Sequence, residues 1–254
     1  MLSEVQVENA IHAVETKIPL RNYLFITIDI VRDFVDDKDS IFVATYGRED
    51  VEPILQVPPK IIECLKFCKD ELPNHAELKD LYSVQQLCCQ SQYEYKQFKT
   101  SGLENLCVTS HGQECTIPIE YFNYRVIKTK NSILDDLITF EEINTETTMD
   151  DNSLSSNPNK TPMENFHTLL EKFNKKEQSF VVVMGVTSNS CVKSSSLALA
   201  KLGHRVIIPL DCVACRKSTQ QSANQFLLQE TKKPNSRISI VESWRDLFTP
   251  NIHL

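Results

Sequence analysis

Three reactive side chains stand where apolar segments stop. Asp29 lies near the end of LFITIDI (24–30), Lys128 closes YRVIK (124–128), and Cys191 follows FVVVM (180–184) and the turn at 185–190. A carboxylate, an ammonium and a thiol suffice for nucleophilic catalysis: the carboxylate takes the thiol proton and the lysine balances the negative charge. Cys191 carries most of the signal, because it opens a helical pattern. A thiol at a helix N-terminus faces backbone N–H groups and the positive end of the helix dipole, which favour thiolate. The same N–H groups suit an oxyanion. Each residue alone also fits a plainer role, as a packed cysteine, a strand-end salt-bridge acid or a solvated lysine. The chemical reading rests on all three falling at equivalent positions of one sheet.

The elements that must position them follow from hydrophobic periodicity. Short β-branched apolar runs predict strands at 24–30, 124–128, 180–184, 205–210 and 237–241, with a weaker one at 81–89. Pro209 suggests that its strand stops there or lies near an edge. Apolar spacing predicts helices over roughly 53–69, opening near Pro58 or Pro59, and over 162–173, 191–202 and 219–231. Gly203 suits the C-terminal cap of the third. Alternating strands and helices give an α/β, three-layer Rossmann-like fold: a mostly parallel six-stranded sheet with helices on both faces. The reading is of one domain over 1–254. Its one composition shift is an acidic, polar stretch at about 141–161, expected to be a loop or insertion. In such a sheet ligands bind beyond the carboxyl ends of the strands, near the point where strand order reverses. Asp29, Lys128 and Cys191 all fall at such ends.

Composition narrows the classes. With 254 residues, 41% hydrophobic and 24% charged, the chain reads as a soluble globular protein. A net charge of −7 with no basic stretch argues against a nucleic-acid partner. No apolar run reaches the roughly 18–20 residues a bilayer span needs, and the first residues do not resemble a secretory leader. Nine cysteines, scattered and odd in number, predict reduced thiols in the cytoplasm. Five glycines, with no glycine-rich turn after the first strand, leave no dinucleotide or phosphate-loop reading, and no cofactor is expected.

At three segments the sequence resembles the isochorismatase-like cysteine hydrolase superfamily, which includes nicotinamidases and carbamoylsarcosine-type amidohydrolases. FITIDIVRDFVD resembles the family's first strand and places its acid at Asp29. VIKTKNS resembles the strand-end lysine followed by a serine, at Lys128 and Ser132. VVVMGVTSNSCVKSSSLALAKLGHRVIIPLDCVA resembles the nucleophile turn, its small-residue helix and the next strand with Asp211. The resemblance implies that Cys191 attacks a carbonyl, Asp29 shuttles the proton and Lys128 stabilises the charged pair. It also implies a cis Val186–Thr187 bond, an oxyanion hole from the N–H groups of Thr187 and Cys191, and substrate walls at Phe34 and Val186. The substrate implied is a small amide or ureide, and the assembly a homo-oligomer.

The likeness stops at the metal. Nicotinamidases carry an Asp and two His after the second strand. Here LYSVQQLCCQSQYEYKQF has no histidine and His111 stands alone, so no metal is expected. Two other readings remain: a non-catalytic member of this fold that binds a small molecule or a protein, and a thiol redox protein using Cys212 and Cys215.

Overall fold

The computed structural model describes residues 21–71, 82–88, 99, 101–143, 159–175 and 178–249. Eight strands form one sheet: β1 (Asn22–Ile28), β2 (Tyr82–Cys88), β3 (Tyr124–Lys128), β4 (Leu137–Glu142), β5 (Ser179–Val186), β6 (Val206–Pro209), β7 (Val213–Ala214) and β8 (Ile238–Val241). Their order is β4-β3-β2-β1-β5-β6-β8, with β7 paired to β5. All pairings are parallel except β3 with β4. Among the described residues the sheet therefore has eight strands, where the sequence pattern predicts six. The two additional strands escape the pattern for physical reasons. β4 is an antiparallel edge strand, LITFEE, whose burial is interrupted rather than continuous. β7 is only two residues long.

Helices cover both faces. They are α1 (Arg32–Val35), α2 (Ile41–Tyr46), α3 (Arg48–Leu55), α4 (Val57–Asp70), α5 (Pro162–Asn174), α6 (Cys191–Lys201) and α7 (Lys217–Thr231). Alternate residues of the central strands point to opposite faces. Tyr23, Phe25, Val182, Met184 and Val186 enter one core with Ile61, Cys64 and Leu65 of α4. Leu24, Ile26, Ile28, Val181 and Val183 enter the other, against Phe166, Leu169 and Phe173 of α5 and Val192 and Leu199 of α6. Every residue of β5 is buried, which is why it reads as a continuous apolar run.

Local chemistry fixes the helix ends. α5 opens on a capping box: the Thr161 hydroxyl accepts from the Glu164 N–H, and the Glu164 carboxylate accepts from the Thr161 N–H. α6 closes at Gly203, φ +93°, as its pattern predicts. The Gly203 N–H donates to the Ala200 carbonyl and the His204 N–H to the Leu199 carbonyl, the paired bonds of a Schellman ending. β6 does stop at Pro209, but it is no edge strand, since it lies between β5 and β8. The helix expected to open near Pro58 or Pro59 is α4, which begins at Val57; α3 precedes it, separated at Gln56. Of the acidic stretch at 141–161, Glu141 and Glu142 end β4 and Thr161 caps α5, while 144–158 lie outside the described residues. Among the described residues, no helix is long and apolar enough to cross a membrane.

The α2–α3 segment is held to the start of α7 by Asp50. Its carboxylate accepts from the Ser218 N–H at 2.7 Å and the Ser218 hydroxyl at 3.1 Å, and pairs with Arg216 at 3.2 Å. Arg216 also stacks on Tyr46, 3.8 Å from the ring centre. Asp50 thus caps a helix belonging to another part of the chain. The Ser218 N–H bond holds its carboxyl below the ordinary range, against the opposing pull of partial burial, with the Ser218 hydroxyl and Arg216 adding to it. A lowered folded-state pKa means stabilisation that is present above the unfolded value of 3.8 and lost as pH falls through the folded one. Asp50→Ala is therefore expected to cost about 1–2 kcal/mol at pH 7 by urea denaturation, with the difference from the parent shrinking below about pH 4.

Candidate active site

β1 lies between β2 and β5, so strand order reverses at β1. Asp29 follows the last residue of β1, one position past the strand end, with φ +54°. The register pairs Ile28 with Gly185, so Asp29 emerges beside the end of β5. Gly185 is required there. It has φ +121°, and a Cβ on it would meet the Ile28 carbonyl oxygen at 2.1 Å. Only a residue without a side chain lets the two strands approach so closely.

Lys128 ends β3, two strands away from β1, where it pairs with Cys88 of β2. Its long side chain reaches back, and its Nζ lies 3.1 Å from Asp29 Oδ2. The side chains are 1% and 0% exposed. The structure thus brings these two sequence-predicted residues together as a buried ion pair.

The third begins α6, directly after the turn leaving β5. The Val186–Thr187 peptide bond is cis, and the Thr187 carbonyl accepts from the N–H groups of Ser190 and Val192. β7 pins this turn: Gly185 pairs with Val213 and Val186 with Ala214, and the Ser188 N–H donates to the Ala214 carbonyl at 2.8 Å. Cys191 is buried, and its Sγ lies 3.8 Å from Asn131 Oδ1. Asn131 is three residues beyond Lys128. Nothing in the sequence pattern marks Asn131, although it lies inside the segment VIKTKNS, between the lysine and the serine that the segment supplies.

Two further residues missed in the sequence shape the site. The Ser195 hydroxyl, one turn along α6 from Cys191, accepts from the Ile133 N–H at 3.0 Å and ties the loop after Lys128 to the cysteine helix. Asp33 is buried four residues beyond Asp29, and its carboxylate accepts from the Cys107 N–H at 2.5 Å. Burial raises its pKa, with the Cys107 bond and His111 pulling the other way. The Asp33 N–H donates to the Gly112 carbonyl, the Arg32 N–H to Glu114 and the Thr116 N–H to Ile30, so the loop at 107–116 clamps the segment leaving Asp29. A hydroxyl and a carboxylate of this kind have no periodicity that marks them in a sequence.

The remaining expected positions fall as follows. Phe34 is buried in α1, its ring 4.7 Å from that of Phe42, and it shares a hydrophobic cluster with Val186. Thr187 is buried. Ser132 is buried and its hydroxyl accepts from the Leu134 N–H. Asp211 is structural: it accepts from the Ser243 hydroxyl at 2.7 Å and the Trp244 N–H at 2.9 Å, capping a 3-10 turn. His111 is exposed, beside Glu114. Cys212 is buried, its thiol pushed well above the ordinary range by burial and by Asp211, which weakens a redox role for the 212/215 pair. Cys64 and Cys68 are buried on one face of α4. Among the described residues, no group of three His, Cys, Asp or Glu is placed to hold a metal ion. A surface pocket of about 400 Å³, lined by Tyr46, Gly47, Glu49, Asp50, Lys217 and Ser218, contains none of the three reactive residues.

Solved structures share this arrangement of strands and helices. An isochorismatase family protein from Desulfovibrio vulgaris aligns over 89% of this chain and 96% of its own, at 14% identity and a TM-score of 0.57. An N-carbamoylsarcosine amidase from Thermoplasma acidophilum aligns over 87% and 95%, at 13% identity and 0.53. A nicotinamidase from Bacillus subtilis aligns over 87% and 99%, at 14% identity and 0.53. No protein-family model matches the chain, and no curated protein matches it in sequence. The chain has the fold of the isochorismatase-like hydrolases.

Replacing Lys128 by Met leaves a buried carboxylate without its ammonium. This variant is expected to lose about 3–5 kcal/mol in urea denaturation. The double variant Asp29→Leu/Lys128→Met should recover much of that loss, so that the two changes are strongly non-additive.

Proposed function

We propose that this protein is a cysteine hydrolase that cleaves a C–N bond, of amide or ureido type, in a small molecule through a thioester-like intermediate. The observation that carries the proposal is the solvent-excluded Asp29–Lys128 pair at the sheet's switch point, beside the turn that presents Cys191 at a helix N-terminus. Structural neighbours described as amidases and nicotinamidases support the same reaction class.

In this reading the Cys191 sulfur attacks the carbonyl carbon and Asp29 takes the thiol proton. The backbone N–H groups of Thr187 and Cys191 hold the oxyanion as the carbonyl bond opens. Collapse of the intermediate expels ammonia or an amine, which receives the proton from Asp29. Water, deprotonated by the same carboxylate, then adds to the acyl carbon; the acyl-sulfur bond breaks, the acid product leaves, and Asp29 returns the proton to the Cys191 sulfur. Lys128, 3.1 Å from the Asp29 carboxylate, offsets the negative charge that builds on sulfur. Phe34 and Val186 form apolar walls for the substrate. Cys64, Cys68, Cys107, Cys115, Cys191, Cys212 and Cys215 are unbridged, in keeping with work in a reducing, cytoplasmic compartment.

The test is an ammonia-release screen over small carboxamides, ureido compounds and nicotinamide. At least one class should turn over, Cys191→Ala should abolish release, and Asp29→Asn should lower kcat about 10²–10⁴-fold while remaining folded. If release by Cys191→Ala equals that of the parent, the cysteine-hydrolase reading is wrong. If no class turns over but small amides still bind equally to both proteins, the fold serves as a binding module.

A further inference from the structure

The loop at 129–136, which joins β3 to β4, is braced by hydrogen bonds of its own. The Thr129 N–H donates to the Asp136 carbonyl at 3.2 Å, and the Thr129 hydroxyl bonds the Asp136 carboxylate. The Asp135 N–H donates to the Ser132 carbonyl at 3.2 Å and the Leu134 N–H to the Ser132 hydroxyl at 3.1 Å. The Ile133 N–H reaches across to the Ser195 hydroxyl, and both of those residues are fully buried. Ser195 and Cys191 are one turn apart on the same helix. The loop and the sulfur are thereby held in one frame, and the residue the loop delivers to the sulfur is Asn131.

Asn131 is exposed whereas Cys191 is buried, and the carboxamide oxygen meets the thiol at 3.8 Å, so the contact joins the sulfur to a residue that reaches solvent. A carboxamide carries both an acceptor and donors. While sulfur holds its proton, the S–H donates to Oδ1. Once the proton has gone, a carbonyl oxygen facing negative sulfur is repelled. Rotation of the amide group then turns an N–H toward sulfur and frees Oδ1 for another donor.

Resting on the hydrolase reading above, we infer that Asn131 is a substrate-orienting residue: its Oδ1 accepts an N–H of the substrate's planar amide or ureido group and aligns the carbonyl carbon with Cys191. This selects substrates that carry an N–H on the scissile nitrogen over esters of the same shape. An ester offers no donor to Oδ1, and an unmet acceptor in a confined site is penalised.

Two thiol reagents test this on the full chain without knowledge of the natural substrate. Iodoacetamide carries a primary amide; methyl methanethiosulfonate carries none. Rates at Cys191 are followed by mass spectrometry with peptide mapping across pH 5–9, with melting temperature as a check on folding. Asn131→Ala is expected to slow iodoacetamide about tenfold relative to methyl methanethiosulfonate. Asn131→Asp keeps an acceptor, so it should retain the preference for iodoacetamide while moving the pH profile upward. An unchanged ratio of the two rates in a folded Asn131→Ala protein overturns the inference and leaves the hydrolase reading standing. Equal slowing of both reagents also overturns it, because Asn131 then acts on the thiol and not on the amide. If parental Cys191 reacts no faster than the other thiols with either reagent, the hydrolase reading falls and this inference with it.

Discussion

An ammonium and a carboxylate 3.1 Å apart, both removed from water, impose a condition on everything around them. Stripping each ion of solvent is expensive, and their mutual attraction offsets that only when the geometry is held. Asp29 and Lys128 come from strands separated by β2, so the pair forms only when β1, β2 and β3 are in register. A one-residue slip would turn Lys128 to the opposite face of the sheet. The charge pair and the central sheet therefore specify one another. A protein selected for stability alone would fill such a position with hydrocarbon, and this is the physical ground for reading the pair as functional.

The elements around the pair serve the same placement. β5 approaches β1 closely because Gly185 has no side chain. β7, only two residues long, adds little to the sheet, yet it fixes the turn that leads into Cys191. Ser195 ties the lysine loop to the cysteine helix, and the Asp33 carboxylate binds the loop at 107–116 to the segment leaving Asp29. Rigid elements, rather than free loops, thus carry each reactive group, as precise positioning demands.

The sequence made the fold legible where burial is continuous or strictly periodic. The run at 180–184, the helix opening at Cys191 and its glycine ending all appear where expected, because buried strands and capped helices leave strong local patterns. It was silent on β4, whose outward residues break the pattern, on β7, which is too short to have one, and on the short helices before α4. At the site, Asp29 and Lys128 drew notice only together with Cys191, as three charged or reactive groups at equivalent strand ends, and the structure joins the first two as a buried pair. Asn131, Ser195 and Asp33 were not legible, since a polar residue in a loop or on a helix acquires meaning only from a partner distant in sequence.

If the proposed chemistry holds, Asp29, Lys128 and the start of α6 act on one sulfur. This joint action is tested most directly by a thiolate titration at 240 nm, taking the difference between the parent and Cys191→Ser. Cys191 should show a single ionisation well below the value of about 8.5 for ordinary cysteine, displaced when Lys128 is replaced by Met in a protein that remains folded. An ionisation at or above that value, indifferent to Lys128, would contradict the joint action.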